Sequence, residues 1–531
     1  MSTAEVSAPT RSLPGWGLRL RTGGWLPPLA GVLVLLALWE VVAVTVAAGK
    51  HIVPTISQVV TALIEDGFYL VHVRTTLLEA AQGYFWGNLA AFAVASACLA
   101  VPALASILTR IAMTTYSTPT IAVAPLLIVL FDPDQTKVVM AGLSVFFPTL
   151  LGTLLGFASA PRAAVEFAHV CGAPQWFTLL RVRLRAAVPS IAGALSLAAP
   201  AAMVGAMIGE YLGGDAGLGA QLVQAQQALE VERAWAVAIL ATLVSTVVYL
   251  GIGALARRLA FSDTTTELTG ASPDNDGKGG LGGLSRTVAS FAMVIVLWYG
   301  LVKGLGLSSY IAKTPDQVFS YLFTGPGAGA HLGHMFEQLA QTLRDAAIGY
   351  AVGTAVAIAA AALFLSSKLV EGMFLPIVMT LRAVPLVAMT PLIALIFGRG
   401  LATVAVLAGA VTFVPTLVIV LAALRAVPKP ATELAHVYGM GRMRAFGIQM
   451  VYASPALAAS ARVALPGSIL GAVLAEILAT GNGIGNVVAI SIGSSEYLTL
   501  WSALTVLTAV TALLYALLSR LESATIARLT Q

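Results

Sequence analysis

Charge is scarce in this sequence. Of 531 residues only 10% are Asp, Glu, Lys or Arg, while 58% are hydrophobic, and the mean hydropathy is +0.90. Soluble domains carry about 25% charged residues, so a water-covered globule is excluded and most of the chain must face lipid or other apolar helices. Cysteine is nearly missing too. Cys98 lies in an apolar run and Cys171 in a polar loop, at different depths, which excludes a disulfide framework. No Gly-x4-Gly-Lys-Ser/Thr loop occurs, so the chain has no phosphate cradle for ATP. No nucleophile elbow or kinase signature is present, and the six histidines are scattered rather than set at metal-ligand spacing. These gaps argue against an enzyme and leave no cofactor or metal for the chain itself to hold.

Long apolar runs dominate what remains. Runs of about 20 residues, enough to cross roughly 30 Å of hydrocarbon, fall near 27–48, 78–100, 106–130, 138–159, 188–210 and 234–256. A second set falls near 287–306, 343–365, 372–397, 401–424, 455–478 and 498–519. They are continuously apolar with no period-two alternation, which excludes barrel strands. The expected fold is an all-α integral membrane protein of about 12 transmembrane helices in two parallel six-helix repeats. The expected organisation is an N-terminal tail (1–26), a first membrane domain (27–260), a linker (261–284), a second membrane domain (285–522) and a C-terminal tail (523–531). Arg11, Arg19 and Arg21 precede the first run, and Val46-Ala47-Ala48 is compatible with a signal-peptide cleavage site. A retained helix is the preferred reading, because the second half opens with a similar run around Trp298.

The net charge of +5 is no nucleic-acid patch, because the basic residues are sorted by membrane side. With the N-terminus inside, inner segments hold 18 of the 29 Lys and Arg residues, among them Arg181, Arg183, Arg257, Arg258, Arg442 and Arg444, and outer segments hold seven. The positive-inside rule therefore places both termini in the cytoplasm.

The two halves repeat one another. Glu166-Phe167-Ala168-His169-Val170-Cys171-Gly172 returns as Glu433-Leu434-Ala435-His436-Val437-Tyr438-Gly439, 267 positions later. At a shift of 266, Pro119 pairs with Pro385, Pro125 with Pro391, Glu210 with Glu476, and Gly217 with Gly483. Both copies of the phrase lie in inner loops. A carboxylate early in a short helix suits the positive dipole end, Gly172 and Gly439 permit a sharp turn, and aromatic and basic residues follow. A helix, a turn and an amphipathic stretch make a knob able to enter a groove on a soluble partner. The bland alternative is a helix lying on the membrane surface.

The phrase resembles the Glu-Ala-Ala-x3-Gly loop of permease subunits of bacterial ATP-binding-cassette importers. Val384-Pro385-Leu386, Phe146-Phe147-Pro148, Phe413-Val414-Pro415 and Glu476 followed by Gly483-Ile484-Gly485 resemble the nitrate/sulfonate/taurine branch. The Leu-Pro step of the family loop is Leu184-Arg185 here and Val451-Tyr452 in the second half, and two permease domains are fused in one chain. The resemblance implies a cell inner-membrane permease working with two ATPase subunits that bind ATP and Mg, and with an extracytoplasmic binding protein. It places Glu166, Ala168, Gly172, Glu433, Ala435 and Gly439 in ATPase-coupling loops. The expected cargo is a small anion such as a sulfonate, taurine or nitrate. A thiamine precursor, ferric iron, or a secondary transporter of two six-helix halves are the alternatives.

Several in-span residues are candidates for a translocation path or gate. Pro119, Pro125, Pro385 and Pro391 are expected to kink or break the third span of each half. Glu210 and Glu476 precede Gly-rich re-entries near outer span ends, where an interfacial carboxylate is the simpler expectation. Arg462 lies inside a span, with attraction of an anion set against a structural partner or snorkelling.

Overall fold

The computed structural model of the chain describes residues 26–45, 52–100, 123–259 and 281–529, apart from 66, 68, 125, 126, 129, 305, 429, 432 and 434–436. Every regular element among them is helical. The principal elements of the first half are α1 (Leu26–Thr45), α2 (Ile56–Glu65), α3 (Tyr69–Ala100), α4 (Pro133–Ala158), α5 (Arg162–Val170), α6 (Leu184–Gly213), α7 (Leu218–Gln227) and α8 (Val231–Leu259). Those of the second are α9 (Leu281–Gly304), α10 (Ala328–Ser366), α11 (Lys368–Thr380), α12 (Leu386–Phe397), α13 (Leu401–Arg425), α14 (Arg442–Tyr452), α15 (Ser454–Ala475), α16 (Gly483–Gly493) and α17 (Tyr497–Leu529).

The same packing recurs in both halves. Helix α4 lies between α3 and α6, as α13 lies between α10 and α15. In lipid, helices gain little from burying apolar surface against one another, so association rests on close backbone approach over small residues. Gly83 and Gly87 of α3 supply that surface, as Gly349 and Gly353 do on α10. A Cβ at Gly87 would meet the Gly142 carbonyl oxygen at 2.5 Å, and one at Gly353 the Gly409 carbonyl oxygen at 2.5 Å. Tryptophans close the outer layer. Trp39 and Trp235 have ring centroids 5.0 Å apart, and Trp298 and Trp501 5.2 Å. Their indole N–H groups donate to the carbonyls of Pro54, Ile52, Lys313 and Ile311 respectively. These partners repeat at a shift of 259, so the opening helices follow the duplication at a spacing different from the rest.

The halves interlock. Helix α1 packs on α11 of the other half, with Gly31 seated against the Met373 carbonyl. Ala388 and Leu392 of α12 share a core with Met207, Leu222 and Val237 of the first half. Cys98 is buried and Cys171 exposed, and both are free thiols.

Eight helices among the described residues are long and apolar enough to cross a bilayer, nine if the bent pair α11–α12 counts as one span. These account for eight or nine of the twelve expected spans. The run near 106–130 lies largely outside the described residues. Helix α3 has 32 residues, with Arg74 and Glu79 in its first third and no charged residue from Ala80 onward. The run near 287–306 falls in α9, a helix of 24 residues. The run at 372–397 is bent by 108° between Lys368–Ala383 and Leu386–Phe397. Pro385 sits at that break and Pro391 lies inside α12. Pro119 and Pro125 fall outside the described residues, as does most of the linker.

Candidate functional site

Two constructions repeat in both halves: an exposed knob on the inner loops and a buried carboxyl near the other end of the same span. The first knob is α5, whose end is set by glycine. Gly172 has φ +72°. The Gly172 N–H donates to the His169 carbonyl and the Ala173 N–H to the Ala168 carbonyl, each at 2.9 Å, an arrangement that satisfies the last carbonyls of a helix. Ala168 turns inward. Glu166 is exposed, and apolar surface faces outward at Phe167 (71% exposed), Val170 (87%) and Trp176 (63%). In the second half Gly439 has φ +62°, Glu433 is exposed, and Val437 and Tyr438 project at 82% and 71% exposure. Ala435 lies outside the described residues.

The first knob runs directly into a span. Trp176–Gly213 is one apolar helical run of 38 residues, with a π-helical stretch over Leu179–Arg183. At 1.5 Å per residue it is roughly 55 Å long. In the second half the corresponding path breaks at Ala453, between α14 and α15.

Glu210 lies near the far end of that run, and both it and Glu476 correct the expectation of interfacial carboxylates. Each is 1% exposed. The Thr76 hydroxyl donates to Glu210 Oε1 at 2.6 Å, and the Gly219 N–H to Glu210 Oε2 at 2.7 Å. In the second half the Thr342 hydroxyl and the Gly485 N–H both donate to Glu476 Oε2 at 2.9 Å. The threonines in turn accept from the backbone, Thr76 from the Leu218 N–H and Thr342 from the Ile484 N–H, both at 2.9 Å. The Gly217 N–H donates to His72 Nδ1 at 3.2 Å, and the Gly483 N–H to Gln338 Oε1 at 3.0 Å. Each carboxyl therefore caps the start of a returning helix, α7 or α16, where unpaired N–H groups and the helix dipole favour an anion. It also fastens that helix to α3 or α10 by way of a threonine. The glycines are obligatory: Gly217 has φ +109° and Gly483 φ +81°, and a Cβ at either would overlap the glutamate carboxyl.

Beside the first clasp, Lys137 Nζ lies 3.3 Å from Glu79 Oε1 and 3.0 Å from Asp134 Oδ1. Thr76, Thr342, Glu79, Asp345 and Lys137 were all missed by sequence reasoning. The first four were findable, since Thr76/Thr342 and Glu79/Asp345 recur at the same shift of 266 as Glu210/Glu476. Arg462 is not brought together with either clasp. Its Nε lies 3.0 Å from Glu522 Oε2, with both side chains largely buried. No group of His, Cys, Asp and Glu among the described residues is arranged to hold a metal ion.

The family pattern of the binding-protein-dependent transport system inner membrane component matches this chain twice, over residues 85–261 and 353–530. The chain belongs to that family. It is a multi-pass inner-membrane permease component of an ABC transporter with a duplicated permease unit. It is not itself catalytic; ATP is bound by a partner ATPase, and a binding protein is the other partner the family implies. A probable ABC transporter permease protein of Haemophilus influenzae is 31% identical over 241 residues, covering 45% of this chain and 98% of the relative. The riboflavin transport system permease protein of Chloroflexus aurantiacus is 33% identical over 142 residues, 27% of this chain and 53% of the relative. An aliphatic sulfonates transport permease protein of Bacillus subtilis is 26% identical over 225 residues, 40% of this chain and 79% of the relative. No solved structure matches the permease.

Proposed function

We propose that the permease carries a small organic solute inward and that its two knobs, around Gly172 and Gly439, each dock on one of two ATPase subunits. One observation carries this reading: apolar side chains stand out at both copies of the loop, on the side where basic residues collect. Closure of the ATPases on ATP would draw the knobs together. In the first half the long helix running from Trp176 would carry that displacement toward the Glu210 clasp, because a packed helix moves as a rigid body. The chain supplies the path and the mechanical linkage.

For the solute, the sulfonate relative supports an anion. The riboflavin relative, and a formylaminopyrimidine transport permease of Halalkalibacterium halodurans that is 25% identical over 197 residues, support a nitrogen heterocycle. Arg462, the in-span cation that the sequence offered to an anion, is paired with Glu522. That favours the heterocycle.

The test uses the chain reconstituted in vesicles with its ATPase and binding protein. Gly172→Val and Glu433→Arg should cut uptake by about 5- to 150-fold, the usual range of a coupling energy, while ATP hydrolysis and membrane insertion persist. Full uptake in both variants would remove the coupling assignment. Uptake that survives loss of the ATPase but collapses with an ion gradient would favour a secondary transporter. A ligand screen on the binding protein separates sulfonate from heterocycle.

A further inference from the structure

At the end of the second half away from its knob lies an aromatic recess of about 450 Å³, lined by Tyr310, Lys313, Tyr321, His331, Glu496 and Tyr497. Small-ligand sites run to roughly 300–1,000 Å³. Tyr310 and Lys313 sit on the chain after α9, Tyr321 and His331 flank the start of α10, and Glu496 and Tyr497 open α17. The turn into α17 follows the duplication, since Ser495 has φ +60° and its counterpart Leu229 φ +59°. The side chains after the turn do not follow it. In the first half Glu230 pairs with Arg233 at 3.0 Å. At a shift of 266 these two positions are Glu496 and Thr499, and Val231 becomes Tyr497. Glu496 has therefore lost that cation and accepts a long bond from the Thr499 hydroxyl, 3.4 Å. Lys313 does not replace it. Its Nζ donates to the Ser309 carbonyl at 2.7 Å and stands 5.8 Å from the centre of the Tyr310 ring. Among the described residues neither charge has an ion-pair partner. An ammonium and a carboxylate that line one recess without pairing suit a ligand carrying both signs.

The depth of the recess says where such a ligand comes from. The stacked indoles of Trp298 and Trp501 donate to the Lys313 and Ile311 carbonyls, so the loop that carries Lys313 lies directly on them. Tryptophans gather at the membrane–water boundary. Tyr497 stands four residues before Trp501 on α17, roughly 6 Å farther from the bilayer centre at 1.5 Å per residue. Lipid headgroups fill roughly 5–8 Å beyond the hydrocarbon. The recess is thus at headgroup depth, and the neighbouring helix α9 turns Val296 (64% exposed) and Leu301 (59%) outward, as a lipid-facing helix does.

We propose that this recess binds the headgroup of a zwitterionic aminophospholipid from the leaflet opposite the knobs. The lipid phosphate meets the Lys313 ammonium, and the lipid ammonium donates to the Glu496 carboxylate. The rings pair with one another, Tyr321 with His331 at 3.9 Å between centroids and Tyr310 with Tyr497 at 5.4 Å, and do not form a cage for a quaternary ammonium. Recognition of the cationic end therefore rests on Glu496 and needs an N–H donor, which an ethanolamine headgroup has and a choline headgroup lacks.

The test uses the full chain with its ATPase partner in detergent micelles, titrated with phosphatidylethanolamine, phosphatidylcholine or phosphatidylglycerol of the same acyl chains. Native mass spectrometry reads the affinity of the first lipid bound. Phosphatidylethanolamine should bind about tenfold or more tightly than the other two, the effect of one hydrogen bond between charged groups. Glu496→Gln should erase its advantage over phosphatidylcholine, Lys313→Gln should weaken both, and Lys303→Gln, at an exposed lysine outside the recess, should change neither. Glu496 is exposed and Lys313 half-buried, so these variants should fold. An ethanolamine preference that is missing in the parent, or that persists undiminished in Glu496→Gln, overturns the proposal. Soluble phosphoethanolamine binding as tightly as the lipid also overturns it, since the recess then takes a free zwitterion. So does a pair of variants that bind lipid as the parent does but lose affinity for the binding protein, which would make the recess a protein contact. Neither uptake nor ATP hydrolysis is read, so this result stands apart from the coupling assignment.

Discussion

Replacing Gly483 by alanine puts the clasp geometry to a direct test. Gly483 has φ +81°, and a Cβ there would overlap the Glu476 carboxyl. Holding an L-residue in left-handed backbone costs about 1–2 kcal/mol. Displacing the carboxyl disturbs its bonds from the Thr342 hydroxyl and the Gly485 N–H, both 2.9 Å, and a hydrogen bond to a charged group contributes roughly 1.5–3 kcal/mol. Losing one of the two brings the total to about 2.5–5 kcal/mol, a large share of a typical net stability of about 5–15 kcal/mol. Gly306→Ala is the control, because Gly306 has φ +63° with open space around it; only the backbone cost of about 1–2 kcal/mol applies there. Unfolding of the purified protein by heat or SDS in detergent micelles reads both. Gly217→Ala should behave like Gly483→Ala, since the first clasp has the same bonds. If Gly483→Ala destabilises no more than Gly306→Ala, the carboxyl does not fasten the returning helix and the reasoning fails.

Other variants probe other parts of the chain. Arg462→Ala leaves Glu522 buried without its ion-pair partner and should cost about 3–5 kcal/mol, while replacing both residues by methionine restores much of the stability; substrate affinity should not change in either, and a loss would return Arg462 to the path. Gly353→Leu should drive α10 from α13, because its Cβ meets the Gly409 backbone, and lower the yield of folded protein, while Gly193→Leu, with open space at its Cβ, should be tolerated. An impermeant maleimide should label Cys171 in inside-out vesicles and not in intact cells, with Cys98 unlabelled in both; labelling from outside would reverse the orientation.

Much of the site lay in plain view along the chain. The exposed knob around Gly172 needed only Glu166, Ala168 and a glycine at the turn, since helix ends obey local rules. The duplication was legible because Pro, Gly, Trp and Glu recur at fixed shifts. Helix boundaries in α4, α8 and α13 follow from apolar length. The path of one span was less legible. Hydropathy treats 372–397 as one run, whereas Pro385 sits at a bend of 108°.

The residues alone determined that this is a duplicated, helical membrane protein and where its two repeated loops turn at a glycine. All of these depend on neighbours within a few turns. Whether Glu210 and Glu476 meet water and whether Arg462 is free for a solute were decided only by tertiary structure. The partner of each carboxyl lies 134 residues away on another helix, and a charge in lipid takes its character from that partner rather than from its own surroundings in sequence.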